Sequence, residues 1–115
     1  MTTEWTEAPA PSGTGCAECE EAAGWWLHLR RCTTCGHVGC CDASPNQHAR
    51  RHFEATGHAV MRSFEPDEEW FWDFQLAVPA APVPLPPPLH RPVDQPSPGP
   101  EGRVPPDWRR RLNRA

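Results

Sequence analysis

Eight cysteine and histidine side chains in a short stretch constrain this chain more than any other feature. Between residues 16 and 58, two Cys-x-x-Cys pairs are followed by one further cysteine and three histidines. A structural zinc ion takes four such ligands in a tetrahedron, so the set is sufficient for two complete sites. The sequence therefore predicts two zinc ions, with the ligands Cys16, Cys19, Cys32, Cys35, Cys40, His48, His52 and His58.

Disulfide bonds and iron binding are the two alternatives to zinc for these cysteines. A disulfide framework belongs to secreted proteins, but residues 1–15 contain Glu4 and Glu7 and lack the basic and apolar regions of a secretion signal. We therefore expect a cytoplasmic protein with reduced cysteines. Four cysteines alone could bind iron, but that would leave the three histidines unexplained. The remaining Cys41 is predicted to be a small buried residue rather than a reactive thiol.

Proline divides the chain into a domain and a tail. Residues 79–106 hold 12 of the 16 prolines and contain no aromatic residue, a composition typical of extended, disordered segments. The sequence predicts a flexible N-terminus over 1–15, a domain over 16–76 and a disordered Pro-rich tail over 77–115 with a basic C-terminus. A domain of this size buries little apolar surface, and each zinc site would add about 10 kcal/mol of folding free energy.

The periodicity of apolar residues predicts a small α+β domain. Period-two patterns indicate strands over residues 25–30, 58–64 and 70–76. Ser44 and Pro45 are typical of a helix start, and Gly57 is typical of the residue just past a helix end, so a helix is expected from there to Thr56. The expected fold is a short antiparallel sheet packed on one helix and stabilised by metal.

Charge argues against a nucleic-acid or membrane partner, and the residue that follows His48 argues against a metalloprotease. Residues 16–76 carry ten acidic residues against five arginines, and the chain has no lysine, which argues against a nucleic-acid or membrane partner. His48 and His52 have the spacing of a metalloprotease helix, but that chemistry needs a glutamate directly after the first histidine, and Ala49 stands there. The sequence therefore predicts that the protein is not an enzyme.

The order of the eight ligands, with Gly36 and Gly57 between them, is similar to the ubiquitin-protease-type (UBP-type) zinc finger over residues 16–76. The resemblance implies interleaved sites: one zinc on Cys16, Cys19, Cys40 and His48, the other on Cys32, Cys35, His52 and His58. Spacing alone leaves a sequential pairing open, with four cysteines at one site. Relatives with a third zinc use cysteines that residues 70–74 lack, so two ions are expected.

The resemblance also implies a non-catalytic pocket that receives the free carboxyl terminus of ubiquitin. The pocket residues it implies are Trp26, Asp42, Trp70 and Trp72. Asp42 stands where the family has an arginine that pairs with the terminal carboxylate, and the chain has no tyrosine. We therefore expect a monomeric module for a protein or peptide partner, including a C-terminal tail, with weak or no binding of the ubiquitin tail. The alternative is a redox- or metal-responsive zinc regulator.

Overall fold

The fold is built on a five-stranded sheet flanked by short helices. The structure is a computed structural model that describes residues 9–112, and the first eight and last three residues lie outside the described part. Its elements are α1 (Ala17–Ala22), β1 (Leu29–Cys32), β2 (Val38–Cys40), α2 (His48–Thr56), β3 (Val60–Ser63), β4 (Phe71–Asp73), β5 (Val78–Ala80) and α3 (Trp108–Leu112).

All neighbouring strands of the sheet are antiparallel, in the order β2-β1-β3-β4-β5. One row of cross-strand partners runs from Val38 through Arg31 and Arg62 to Phe71. Successive side chains along a strand point to opposite faces, so the next row, which contains Met61 and Trp72, faces the other way. The predicted α+β class with an antiparallel sheet is confirmed, whereas the sequence does not predict α1, β2, β5 or α3.

Helix α2 begins later than the sequence indicates. Its first residue is His48, and Gln47 precedes it in a left-handed conformation with φ of 52°. Ser44 does not cap the helix, because its Oγ accepts a hydrogen bond from the Leu27 amide at 2.8 Å. The His48 amide points at the Cys40 sulfur, 3.2 Å away, so a metal ligand replaces the expected cap. The end of α2 agrees with the prediction, since Gly57 follows Thr56 with φ of 81° and its amide bonds to Phe53.

The strand predicted over residues 70–76 is interrupted after Asp73. The Asp73 carboxylate accepts hydrogen bonds from the amides of Gln75 and Leu76, and Ala77 adopts a positive φ of 58°. These local bonds turn the chain and return it as β5, which pairs with β4. The sheet therefore continues past residue 76 with one short edge strand.

The first predicted strand is also shorter than the apolar pattern suggests. Pairing with β2 begins at Leu29 rather than at residue 25. Trp26 instead forms an isolated bridge with Gly99, in which both backbone amides donate, at 2.7 and 2.9 Å. This bridge uses backbone groups of the Pro-rich segment, a partner that local periodicity does not reveal.

The core lies between the sheet and α1. Three of its fully buried members are predicted metal ligands. The members are Cys16, Cys19, Trp26, Leu29, Val38, Cys40 and Phe64. With so few large apolar residues in the core, the sulfur atoms are themselves part of the packing. This composition agrees with a domain that depends on metal for stability.

Residues 9–12 lie against the turn between β1 and β2. The Ser12 amide bonds to the Gly36 carbonyl at 2.8 Å, and the Ser12 hydroxyl accepts from the Val38 amide at 2.9 Å. The guanidinium of Arg31 donates to the Pro9 carbonyl. The remaining part of the predicted flexible N-terminus, residues 1–8, lies outside the described residues.

The Pro-rich segment, for which the sequence predicts disorder, is placed against the domain over residues 77–112. Arg91 forms a buried ion pair with Glu65 at 2.9 Å, and its amide bonds to Phe64. Arg103 donates to the Gly24 carbonyl at 2.8 Å. These contacts come from arginine side chains and backbone groups, and the disorder that the sequence predicts for this segment stays a prediction. Among residues 9–112, the helices lack the length and apolar character needed to span a bilayer.

Candidate metal centres and the adjoining pocket

The first group of ligands joins α1, β2 and the start of α2. The Nδ1 atom of His48 lies 3.2 Å from the Cys16 sulfur, 3.4 Å from the Cys19 sulfur and 3.5 Å from the Cys40 sulfur. All three cysteines are fully buried. The four ligand atoms lie within 4.8 Å of one another.

The second group of ligands joins the β1–β2 turn, α2 and the segment before β3. The Nε2 atom of His52 lies 3.3 Å from the Cys35 sulfur and 3.3 Å from Nδ1 of His58, which in turn lies 3.6 Å from the Cys32 sulfur. These four ligand atoms also fall within 4.8 Å of one another. His48 and His52, one helical turn apart, therefore belong to different sites.

Both groups fit tetrahedral zinc. Zn–S and Zn–N bonds of about 2.3 and 2.1 Å at the tetrahedral angle place S and N ligands about 3.6 Å apart and two N ligands about 3.4 Å apart. The observed separations, from 3.2 to 3.6 Å, lie close to these values. The two groups can each hold a zinc ion, and the structure brings the ligands together in the interleaved grouping that the resemblance implies. The sequential grouping, with four cysteines at one site, is not what the structure shows.

The thiols of the first group cannot all ionise without a cation. Hydrogen bonds from Cys16 and Cys19 lower the pKa of Cys40 to about 2, while hydrogen bonding to Cys19 and Cys40 raises the pKa of Cys16 far above its ordinary value. One thiolate is thus stabilised by the protons of its neighbours. A zinc ion takes the place of those protons, so we expect binding to weaken as the pH falls.

Polar neighbours position the ligands of the second group. The His37 ring stacks on His52 with ring centres 4.1 Å apart, and its Nε2 lies 2.8 Å from the Glu18 carboxylate. The Thr34 amide points at the Cys32 sulfur, 3.4 Å away. Burial, followed by the nearby His37 and His58, lowers the pKa of His52 and so favours the neutral ring that binds metal.

The remaining cysteine lies outside both groups. Cys41 is 4 % exposed, and its sulfur lies 3.4 Å from the Ser44 hydroxyl. The structure places it as a small buried side chain, in agreement with the interpretation from the sequence. His28 and His90 also lie outside the two groups.

A pocket of about 300 Å³ lies on the sheet face that carries Met61 and Trp72. We call it the peptide pocket, after the ligand that we propose for it below. Two arginines in it stack on aromatic rings: Arg30 lies 4.6 Å from the centre of the Trp70 ring, and Arg50 lies 4.9 Å from that of Phe74. The complete lining is Arg30, Asp42, Arg50, Met61, Trp70, Trp72 and Phe74.

Asp42 and Arg50 form an ion pair at the edge of the peptide pocket. The closest approach is 2.6 Å, between Arg50 Nη2 and Asp42 Oδ2, and Nε of Arg50 adds contacts of 3.0 and 3.1 Å. The hydrogen bond to Asp42 raises the pKa of Arg50. About two-fifths of each side chain is exposed, so the pair organises the rim rather than stabilising the fold.

The structure corrects one predicted pocket residue. Asp42, Trp70 and Trp72 line the peptide pocket, but Trp26 is 2 % exposed and lies in the core. Arg30 faces the peptide pocket instead. Arg30 and Cys32 are two residues apart on β1, so they lie on the same face of the sheet. Strand periodicity therefore indicates that Arg30 lies on the sheet face that carries the metal ligand Cys32.

The comparisons with known proteins agree with this geometry. The family described as "Zn-finger in ubiquitin-hydrolases and other protein" matches residues 16–77, more than half of the chain. The chain belongs to this family. The matched segment contains all eight metal ligands and ends one residue beyond the predicted domain.

One solved structure of similar size resembles this chain. The chain is similar to the solution NMR structure of protein RPA1320 from Rhodopseudomonas palustris, with 43 % sequence identity and a TM-score of 0.59. The similarity covers 69 % of this chain and 87 % of that chain. No curated protein matches.

Proposed function

We propose that this UBP-type zinc finger is a non-catalytic binding module that takes a peptide segment of a protein partner in the peptide pocket. The observation that carries the proposal is the set of aromatic and arginine side chains that line this pocket on one face of the sheet. Trp70 is 42 % exposed although it is a large aromatic residue, and such residues are enriched at binding surfaces.

The metal geometry supports a structural role for zinc. Each group supplies four protein ligands, which fill a tetrahedron and leave no position for water or substrate. Ala49, which follows His48, is 1 % exposed and packs in the interior, so it offers no catalytic group. The redox-responsive alternative stays a prediction, and the burial of Cys41 does not favour it.

Peptide screening tests the proposal. We expect zinc-loaded protein to select a set of peptides, and Trp72→Ala to weaken their binding at least about tenfold, as for a central aromatic contact. Trp108→Ala, which removes a tryptophan from α3, is the matched control and should leave binding unchanged. Zinc content and circular dichroism check that each variant is folded. Selection that is insensitive to Trp72→Ala would contradict the proposal.

The ubiquitin tail requires a separate test, because Asp42 lies in the peptide pocket and already pairs with Arg50. A ligand carboxylate near Asp42 would meet like charge and compete for an arginine that is already neutralised. We expect weak or no binding of ubiquitin in a calorimetric titration. Asp42→Asn, which frees Arg50, and Asp42→Arg, which adds a bidentate donor, should both increase affinity. Tight, tail-dependent binding by the unmodified protein would refute this argument.

A further inference from the structure

A second cavity lies on the opposite face of the sheet from the peptide pocket. Its volume is about 530 Å³, and we call it the Arg62 cavity. Met61 lines the peptide pocket and its neighbour on β3, Arg62, lines this one, because successive residues on a strand face opposite ways. The walls come from β4 and from the Pro-rich segment. The lining residues are Arg62, Glu69, Phe71, Pro82, Val83, Pro84, Leu85 and Leu89.

Arg62 is a buried cation with unused donors. The residue is 6 % exposed, and its Nη1 donates to the carbonyls of Ser63 and Leu89. Nε and Nη2 have no hydrogen-bond acceptor among residues 9–112. The Phe71 ring lies 5.8 Å from the guanidinium carbon and forms one wall beside it. Burial lowers the pKa of Arg62, because it destabilises the charged form of the side chain.

A second buried arginine lies directly beside the first. Arg31 on β1 is the cross-strand partner of Arg62 and is fully buried. One of its nitrogens donates to the Pro9 carbonyl, while Nε and Nη1 have no partner within the described part of the chain. Like charges on directly opposed residues repel each other.

The described residues contain little negative charge to balance this pair. Glu69 is at the mouth of the Arg62 cavity, but it is exposed and forms no ion pair with Arg62 in the described structure. Cys32 and Cys35 belong to a group of two cysteines and two histidines, whose two thiolates a bound zinc ion would neutralise. A pair of buried cations with free donors beside an apolar cavity is complementary to an anion on an apolar body.

We propose that the Arg62 cavity binds a small organic monocarboxylate, with the carboxylate on Nε and Nη2 of Arg62 and the hydrocarbon body against Phe71, Val83 and Leu85. Arg31 adds positive potential from behind Arg62 without touching the ligand. Arg62 is itself 6 % exposed, so the ion pair would form at a largely desolvated guanidinium, which strengthens it. This site is independent of the peptide pocket.

The test uses the zinc-loaded full chain, labelled with ¹⁵N, and sodium octanoate as the probe. We expect saturable shifts of the Phe71 and Val83 amides and of the Arg62 Nε–H signal, with a Kd of about 1 mM or tighter. The Trp72 amide in the peptide pocket should not shift. The neutral probe 1-octanol should bind at least about tenfold more weakly, because it lacks the charge-assisted hydrogen bonds.

Three variants test the role of charge. Glu69→Gln removes an exposed carboxylate at the mouth and should tighten octanoate binding about two- to fivefold, whereas Glu21→Gln, with the same change in net charge on α1, should not. Arg62→Gln should abolish binding. If that variant does not fold, Val83→Asp, at an exposed position of the wall, should weaken binding at least about fivefold. Equal affinity for octanol and octanoate, or no saturable shift, would overturn the proposal.

Discussion

The ion pair between Arg91 and Glu65 should hold the Pro-rich segment to the domain, and Arg91→Met tests this. The side chains are only 10 % and 6 % exposed, and Nη2 of Arg91 lies 2.9 Å from the Glu65 carboxylate. Arg91 also donates to the carbonyls of Pro92 and Gln95. Methionine keeps the length of the aliphatic stem and removes only the charge and the donors.

The loss of unfolding free energy expected for Arg91→Met depends on the groups that still contact the Glu65 carboxylate. Breaking a buried ion pair typically costs about 3–5 kcal/mol, because the surviving charge is left buried. The Glu65 carboxylate keeps its hydrogen bond from the Leu29 amide at 2.9 Å and lies 3.4 Å from Nδ1 of His28. These two contacts still stabilise part of its negative charge. We therefore expect a loss of about 2–3 kcal/mol in the free energy of unfolding, near or below the lower end of that range.

Urea unfolding of the zinc-loaded protein, followed by tryptophan fluorescence, measures this loss. With a slope of about 1 kcal/mol per M for a small domain, the midpoint should fall by about 2–3 M. Arg110→Met is the matched control, since Arg110 is 80 % exposed in its pair with Asp107 and should cost less than about 0.5 kcal/mol. A midpoint for Arg91→Met within about 0.5 M of the unmodified protein would refute the reasoning and support a disordered tail.

Three further outcomes follow from the structure. Cys35→Ser should lower the zinc content measured by elemental analysis from two ions towards one, whereas Cys41→Ser should leave two, because Cys41 lies outside both groups. Gly36→Ala should lower the thermal midpoint, since φ is 83° and the added methyl would clash with the Ala10 carbonyl oxygen, at a cost of at least about 1 kcal/mol. Burial alone would raise the pKa of Glu65, but hydrogen bonds from His28, Leu29 and Arg91 lower it overall. The stabilisation by Glu65 is therefore present above its unfolded pKa and is lost as the pH falls below about 4, so Glu65→Gln should flatten the measured dependence of unfolding free energy on pH.

The parts of the fold that were predicted from sequence are those set by ligand chemistry and periodicity. The eight ligands were found because tetrahedral zinc needs four cysteine or histidine side chains, and the end of α2 was found because Gly57 takes a positive φ. The interleaved grouping needed the family resemblance. Helix geometry places His48 and His52 on one face, and nothing local shows that they point to different ions.

The parts that were missed depend on contacts between distant residues. The start of α2 moved because the His48 amide bonds to the Cys40 sulfur, which leaves Ser44 free to bind the Leu27 amide. Trp26 lies in the core, and its backbone pairs with Gly99, far along the chain. Short-range patterns contain no information about such partners.

¹¹³Cd NMR of the cadmium-substituted protein shows which ligands share a metal ion. We expect two resonances of equal intensity, one from a site with three sulfurs and one from a site with two. Proton correlations should connect Cys40 and His48 to the first ion, and Cys32 and His58 to the second. Correlation of Cys16 and Cys32 to the same ion would show a four-cysteine site and would contradict the interleaved grouping.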